Sequence, residues 1–335
     1  MELSILKTNI GLDIAKDDFV ATVGQKDKNQ QVSFSKSRKF TNSIKGFNQL
    51  IEWVKGRVKP EGVNISFTME STGVYYEALA YYLYDKGLTV HVVLPIKAKK
   101  YFESLDQKSK TDKLDSRALA QMGAERQLRE WKLDSAIYRS LKKLTREREA
   151  LQNDITRLKN QLHAEIHSAD KMEATIKRIT KRITFLKQDL KNIEDDINML
   201  IKNDNVVFDK IKKITTIPGI GLITAAVVLS ETNGFAEITS IKQLTSYAGY
   251  DILLRESGSW RGRSRISKKG NSHIRRALHM PSLCAKTHSQ TYGNFYDRIN
   301  DRKQNGLVSA VAVQRKLLGL IYTLWKNDAS YIENH

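Results

Sequence analysis

The sequence predicts an α/β domain followed by a helical remainder. Short apolar runs alternate with one-sided helical patterns up to about residue 125. An apolar repeat in alternating steps of four and three residues then fills the middle of the chain. Beyond residue 205, apolar residues recur at helical spacing between turns marked by glycine and proline.

In the first region, "TNIGLDIAK" (8–16), "DFVATVGQ" and "QVSFSKS" read as three successive strands, with turns at Lys16–Asp17 and "KDKNQ". "NSIKGFNQLIEWVKGR" sets Ile44, Phe47, Leu50, Ile51 and Val54 on one side of a helix that Asn42 or Ser43 can cap. "VNISFTME" is a strand, and "VYYEALAYYLYDKG" is a helix stopped at Gly87. "LTVHVVLP" is a buried strand that ends at Pro95. That order describes a mixed sheet with helices on its faces, over residues 1–125.

In the second region, 126–205, Met172, Ile176, Ile179, Ile183, Leu186, Leu190, Ile193, Ile197 and Leu200 keep a heptad register. Leu151, Ile155, Leu158 and Leu162 do the same before a break at "HSADK". Two long coiled-coil helices are expected, paired as an antiparallel hairpin or between chains. In the third region, 206–335, Pro218-Gly219-Ile220-Gly221 lies between two helical patterns. A helix-hairpin-helix turn would let backbone N–H groups at Gly219 and Gly221 approach a phosphate. An ordinary interhelical turn is the alternative. Further helices are expected at "SIKQLTSYAG", "NSHIRRALHMPSLCAKTH" and "LVSAVAVQRKLLGLIYTLWKND".

The 335 residues carry a net charge of +19, which points to a polyanionic partner, nucleic acid first. One cysteine, Cys284, and seven scattered histidines leave no disulfide framework and no thiolate zinc site. No uncharged apolar run approaches about 18 residues, and the N-terminus does not resemble a secretory signal. A cytoplasmic protein without a membrane span is expected.

Two constellations carry chemistry. Asp13 lies inside the apolar strand "IGLDIAK", and Glu70 closes another strand, "ISFTME". A carboxylate there must be solvated, paired or bound to a metal. Asp112 and Asp115, three apart at a helix start, share a face and repel unless a cation sits between them. First-turn carboxylates also favour the helix dipole, so decoration alone explains that pair equally well. Together the four offer hard oxygen ligands suited to Mg²⁺ or Mn²⁺, and paired ions of this kind clamp a phosphoryl transfer.

The segment from Arg255 to Arg276 holds eight Lys or Arg and one Glu, net +7 over 22 residues. Arg261, Arg263, Arg265, Lys268, Lys269, Arg275 and Arg276 are candidate contacts to a polyanion, or else a solvated face. Ser257, Ser259, Ser264, Ser267 and Ser272 lie within it. A serine needs activation to act as a nucleophile, which the surrounding cations could provide. Capping and hydrogen bonding in a loop is the plainer reading of all five.

Taken in order, "GLDIAK", "MESTGVY", "KTDKLDSRALA", the heptads, "IPGIGLITAAVV" and "ESGSWRGRSRISKKGNSHIRRAL" resemble the DEDD-type insertion-sequence transposases, recombinases guided by a structured bridge RNA. The resemblance spans residues 8 to 325. It implies a ribonuclease H-like, RuvC-like domain at 1–125, a coiled coil at 126–205 and a helical transposase domain at 206–335. It carries the four acidic residues onto Asp13, Glu70, Asp112 and Asp115, with Mg²⁺ or Mn²⁺ as cofactor. The nucleophile falls on Ser257 in "ESGSW", with Ser267 in "RISKKGN" as runner-up. Implied partners are donor and target DNA, a guide RNA, and further copies of the chain in a dimer or tetramer. A carboxylate-only junction resolvase or nuclease, and a non-enzymatic nucleic-acid binder, are the competing functions.

Overall fold

The computed structural model describes residues 5–58, 64–106, 109–254, 256–258, 260–262 and 265–333. The chain divides into two compact units, 1–133 and 134–335.

The first unit is built on a mixed sheet in the order β3-β2-β1-β5-β6, with β4 also on β2. Strand β1 (Ile5–Ile14) pairs antiparallel with β2 (Asp18–Asp27). The short β3 (Val32–Phe34) and β4 (Arg38–Thr41) both pair with β2. Strands β5 (Asn64–Glu70) and β6 (Thr89–Val93) continue the sheet in parallel from β1. Helices α1 (Ile44–Lys55), α2 (Glu77–Asp85), α3 (Pro95–Glu103) and α4 (Asp112–Glu125) complete the unit. This is the α/β class with a mixed sheet expected from sequence.

Alternation along the strands gives the sheet two unlike faces. Ile10, Leu12, Phe19, Ala21, Val23, Phe67 and Met69 form one apolar core with Phe47, Leu50 and Trp53 of α1 and Leu79 and Leu83 of α2. The opposite face carries Asn9, Gly11 and Asp13 on β1, Thr22 and Gly24 on β2, and Ser66, Thr68 and Glu70 on β5. Helix α4 covers this face. A Cβ at Gly11 would stand 2.0 Å from the Ser116 carbonyl and 2.2 Å from the Ala120 nitrogen. Gly123 leaves room in the same way for the Asn9 side chain, which donates to Ser66 Oγ at 2.8 Å. The helix backbone therefore lies directly on the strand, and Thr22 Oγ1 meets Ser116 Oγ at 2.8 Å.

In this unit three elements depart from expectation. "QVSFSKS" narrows to β3, and a fourth strand, β4, follows it; so short an edge piece has no alternation to read. Pro95 starts helix α3 at its first position, where a missing N–H costs nothing, as well as ending β6.

The second unit is helical. Helices α5 (Ala136–His167) and α6 (Glu173–Lys202) run antiparallel across the "HSADK" break. Leu158 packs with Ile179 and Ile183 towards the turn, and Arg148 pairs with Glu194 nearer the root. At the root, Leu141, Ile193, Ile197 and Ile201 join one core with α7 (Asn205–Ile214), α8 (Leu222–Glu231), α9 (Ile241–Tyr247), α10 (Ser272–Ala277), α11 (His279–His288), α12 (Gln290–Lys303) and α13 (Gly306–Asn327). The expected single helix from Asn271 breaks into α10 and α11 at Leu278. Helix α12 buries Tyr292, Tyr296 and Ile299 at helical spacing, a stripe that Gly293 and the polar residues around it obscure in the sequence. Helix α13 is long and apolar enough to cross a membrane. Val313, Leu317, Leu318 and Ile321 are instead buried in this core, which accounts for its composition.

Candidate active site

Parallel register assembles the carboxylates. Leu12 pairs with Met69, so the next step of the register sets Asp13 beside Glu70, on the face that α4 covers. Close packing of α4 at Gly11 brings its first turn to the same strand ends. Thr111 caps that turn by accepting from the Leu114 N–H at 3.3 Å, which starts the helix at Asp112 and places Asp115 one turn on. Thr72 Oγ1 donates to Glu70 Oε1 at 2.5 Å.

The electrostatics follow from this placement. Asp13 is pushed up to about 6, first by burial and then by the charges of Asp115, Asp112 and Glu70. Lys110 opposes that effect. Burial also raises Asp115, with Lys110 acting against it and Asp112 and Glu70 with it. The four predicted acidic residues thus meet in one electrostatic neighbourhood. Among the described residues, however, no three His, Cys, Asp or Glu side chains converge into a metal-holding cluster. The donor set is entirely hard oxygen, and its excess negative charge is what a divalent cation relieves.

Ser257 belongs to the second unit. Strands β8 (Glu256–Ser257) and β9 (Trp260–Arg261) form a hairpin in which Ser257 faces Trp260 and is exposed. Gly258 turns the chain at a φ of +58°. The hairpin interrupts a second pair, β7 (Ile252–Leu253) with β10 (Arg265–Ile266). Ser267 is more enclosed: its N–H donates to Asp251 O at 2.7 Å, and its Oγ accepts from the Lys269 N–H at 3.3 Å. Arg255, Ser259, Arg263, Ser264 and the Arg261 side chain lie outside the described residues.

The other predicted cations divide. Arg265, Lys268 and Lys269 are exposed. Arg275 donates to Ala248 O at 2.7 Å, and Arg276 pairs with Glu149, which also contacts His273. Gly219, at φ +82°, approaches a backbone of its own chain: a Cβ there would meet Pro281 O at 2.5 Å. Gly221 begins α8 with open space around it.

Charge counting passed over a buried clamp at the root of this segment. Glu231, almost fully buried, accepts from Arg146 Nε at 2.7 Å and Nη2 at 3.0 Å, and from Asn271 Nδ2 at 2.7 Å. Burial alone would raise Glu231, but Arg146 and Asn271 hold it below the usual carboxylate range. Gly249 and Gly270 meet backbone to backbone beside it, where a Cβ on Gly270 would lie 2.4 Å from Tyr247 O. Glycines within "AGYD" and "KKGN" were the available signal for that contact.

Residues 10–169 match the family model of the DEDD transposases of the IS110 type, described as "Transposase". Residues 211–297 match the "Transposase IS116/IS110/IS902 family". Over 328 residues the chain is 27% identical to the "Pilin gene-inverting protein" of Moraxella bovis, covering 97% of this chain and 98% of that one. The Moraxella lacunata protein of the same name matches to the same extent. Among solved structures, "T. thermophilus RuvC in complex with Holliday junction substrate" aligns with 35% of this chain and 93% of its own, at 12% identity and a TM-score of 0.27. With both family models matched in order and relatives matched end to end, the chain belongs to the IS110 family of DEDD-type transposases, enzymes of DNA recombination.

Proposed function

We propose that this transposase exchanges DNA strands through a serine nucleophile, Ser257, and a carboxylate site formed by Asp13, Glu70, Asp112 and Asp115. One observation supports this most directly: a sheet and a separate helix bring four acidic residues to one strand end, where burial and then the charges of its three neighbours raise Asp13 to about 6. A fold maintains such repulsion where function uses it. The DEDD family membership implies dependence on a divalent metal. The four carboxylates would hold Mg²⁺ or Mn²⁺, which supplies positive charge to the oxygens of the attacked phosphate.

The chain's own groups do the rest. Ser257 Oγ loses its proton and bonds to phosphorus, and the bond from phosphorus to one sugar oxygen breaks. That oxygen leaves as a hydroxyl with a proton. Attack by another strand's hydroxyl on the phosphoserine reverses the step, so bond energy is retained throughout. Exposure of Ser257 favours it over Ser267, whose hydroxyl is taken up in a backbone turn. Arg265, Lys268 and Lys269 would neutralise the DNA backbone near it, with Arg261, Arg263 and the Gly219–Gly221 turn as further contacts. Arg275 and Arg276 would mainly hold the segment's root.

Sequence choice would rest on a structured guide RNA, since pairing can read a target that side chains do not. The active form would be a dimer or tetramer, with 1–125, 126–205 and 206–335 serving as catalytic, coiled-coil and transposase parts. Denaturing gels of protein incubated with DNA and its co-purified RNA test the chemistry. Wild type should leave a covalent protein–DNA band that Ser257→Ala removes. A band that persists in Ser257→Ala moves the nucleophile elsewhere. Sequencing the co-purified RNA tests the guide: one defined species supports it, and a random cellular mixture overturns it.

A further inference from the structure

The loops and the helix start around the carboxylates carry exposed apolar side chains that the proposed chemistry does not use. Val74 is 65% exposed, Tyr75 45%, Leu94 56% and Ile96 57%. All four lie where strands end beside Asp13 or Glu70. Thr72, bonded to Glu70, leads into Gly73, whose φ of +61° turns the chain out to Val74. Asn42 Nδ2 donates to both Tyr75 O and Ala15 O at 3.0 Å, tying the Tyr75 backbone to the chain two residues past Asp13. Ser71 N donates to Val93 O at 2.9 Å, which brings Leu94 to the same end. Exposed Lys16 stands in the loop after β1, and exposed Lys97 in the first turn of α3.

We infer that this ridge packs against nucleobases that have left the stack, so the carboxylate site takes DNA opened at the step being cut. The inference rests on the carboxylate reading and names its substrate class. A continuous duplex hides the faces of its bases and shows this surface only sugars and phosphates. An apolar ridge next to a phosphate-handling site then has nothing to bury against. Opened bases supply a partner of matching chemistry, with aromatic and aliphatic groups against the base and lysines along the backbone. The excess of +19 on the chain fits a polyanion here better than a second cationic copy.

The test compares a continuous duplex with the same duplex holding a short mispaired gap that contains 2-aminopurine. Binding is followed by anisotropy at fixed salt without divalent metal, so that no strand is cut. Wild type should bind the opened duplex about tenfold more tightly and alter the 2-aminopurine emission. Tyr75→Ala and Val74→Ser should bind both duplexes within about threefold of each other, while Tyr75→Phe keeps the preference. Equal binding by wild type, or a preference that survives Tyr75→Ala and Val74→Ser, overturns the inference. So does a change of oligomeric state in those variants by light scattering, which would assign the ridge to a protein contact. Failure of the carboxylate reading is separable: Mg²⁺ would then leave the melting temperature of wild type unchanged, whatever the DNA preference.

Discussion

The carboxylate site and the serine segment are built in opposite ways. Asp13, Glu70, Asp112 and Asp115 start from rigid elements, with α4 seated on β1 so closely that Gly11 admits no side chain. Ser257 sits on a two-residue strand, exposed, just before a left-handed glycine. One site is held by packing along its length; the other is held at its root, by Glu231 and the Gly249–Gly270 contact. Phosphate activation needs charges at fixed positions, which packing provides. A nucleophile that must be handed from one strand to another gains from freedom, which an exposed hairpin provides. The contrast predicts that substitutions in the packing that seats the first site cost fold and function together, whereas those at the tip of the second cost function alone.

Gly11→Val should have the largest effect. Its new Cβ would overlap the Ser116 carbonyl, a backbone atom that cannot yield without moving α4. A loss of at least about 4 kcal/mol is expected, read as a collapsed melting temperature for the first unit. If Gly11→Val melts like wild type, α4 does not rest on β1, and the carboxylates lose the device that gathers them.

Glu231→Ala comes next. It removes the acceptor shared by Arg146 and Asn271 and leaves Arg146 unpaired. Arg146 is itself half exposed and can be rehydrated, so the cost should be about 2 kcal/mol rather than that of a dry pair. Arg146→Ala in the same background should add little, because the partners are already lost. Full additivity of the two would deny the clamp.

Much of the first site was legible, and for a physical reason. An aspartate among Ile10, Leu12 and Ile14 breaks a strand's apolar pattern, so Asp13 announces itself. Glycines inside strands, at Gly11 and Gly24, also signal close approach of another backbone, and α4 is what approaches. Less was legible in the second site. Charge counting treats all eight cations from Arg255 to Arg276 alike, yet Arg275 and Arg276 face partners from distant segments. No local pattern encodes Ala248 or Glu149 as a partner. Helix α3 was hidden because Pro95 ends one element and begins the next. The choice of Ser257 over Ser267 rests on exposure and backbone bonding, which composition does not reveal.

Asp13→Asn separates charge from packing within the first site. Folded Asp13 titrates near 6, above its ordinary value of 3.8, so the folded state holds its proton more tightly than the unfolded chain does. That contribution is fully present below about pH 4 and is lost as pH rises towards 6. At pH 7.5 without metal, the ionised carboxylate is therefore a liability. Water at the open strand end screens it, which leaves about 1 kcal/mol. Asp13→Asn should then melt a few degrees higher than wild type at pH 7.5 and level with it at pH 4, by roughly 2–4 °C and zero respectively. Millimolar Mg²⁺ should raise wild type and leave the variant in place. A variant that is less stable at pH 7.5 would mean Asp13 has an unrecognised partner and is not under strain from its neighbours.

Ser257→Ala should be the quietest change and the most informative for the comparison. The side chain is exposed on a two-residue strand, so its removal should shift stability by no more than about 0.5 kcal/mol. Binding of DNA and the Mg²⁺-dependent rise in melting temperature should both persist, because neither depends on this hydroxyl. Strand exchange should fall below detection. Ser267→Ala runs the other way: it removes the acceptor for the Lys269 N–H and should cost about 1 kcal/mol while leaving exchange measurable. If the two variants trade places, with Ser257→Ala active and Ser267→Ala stable but dead, the enclosed serine is the nucleophile. Both sites would then be preorganised by packing, and the freedom of the hairpin tip would have to serve another step.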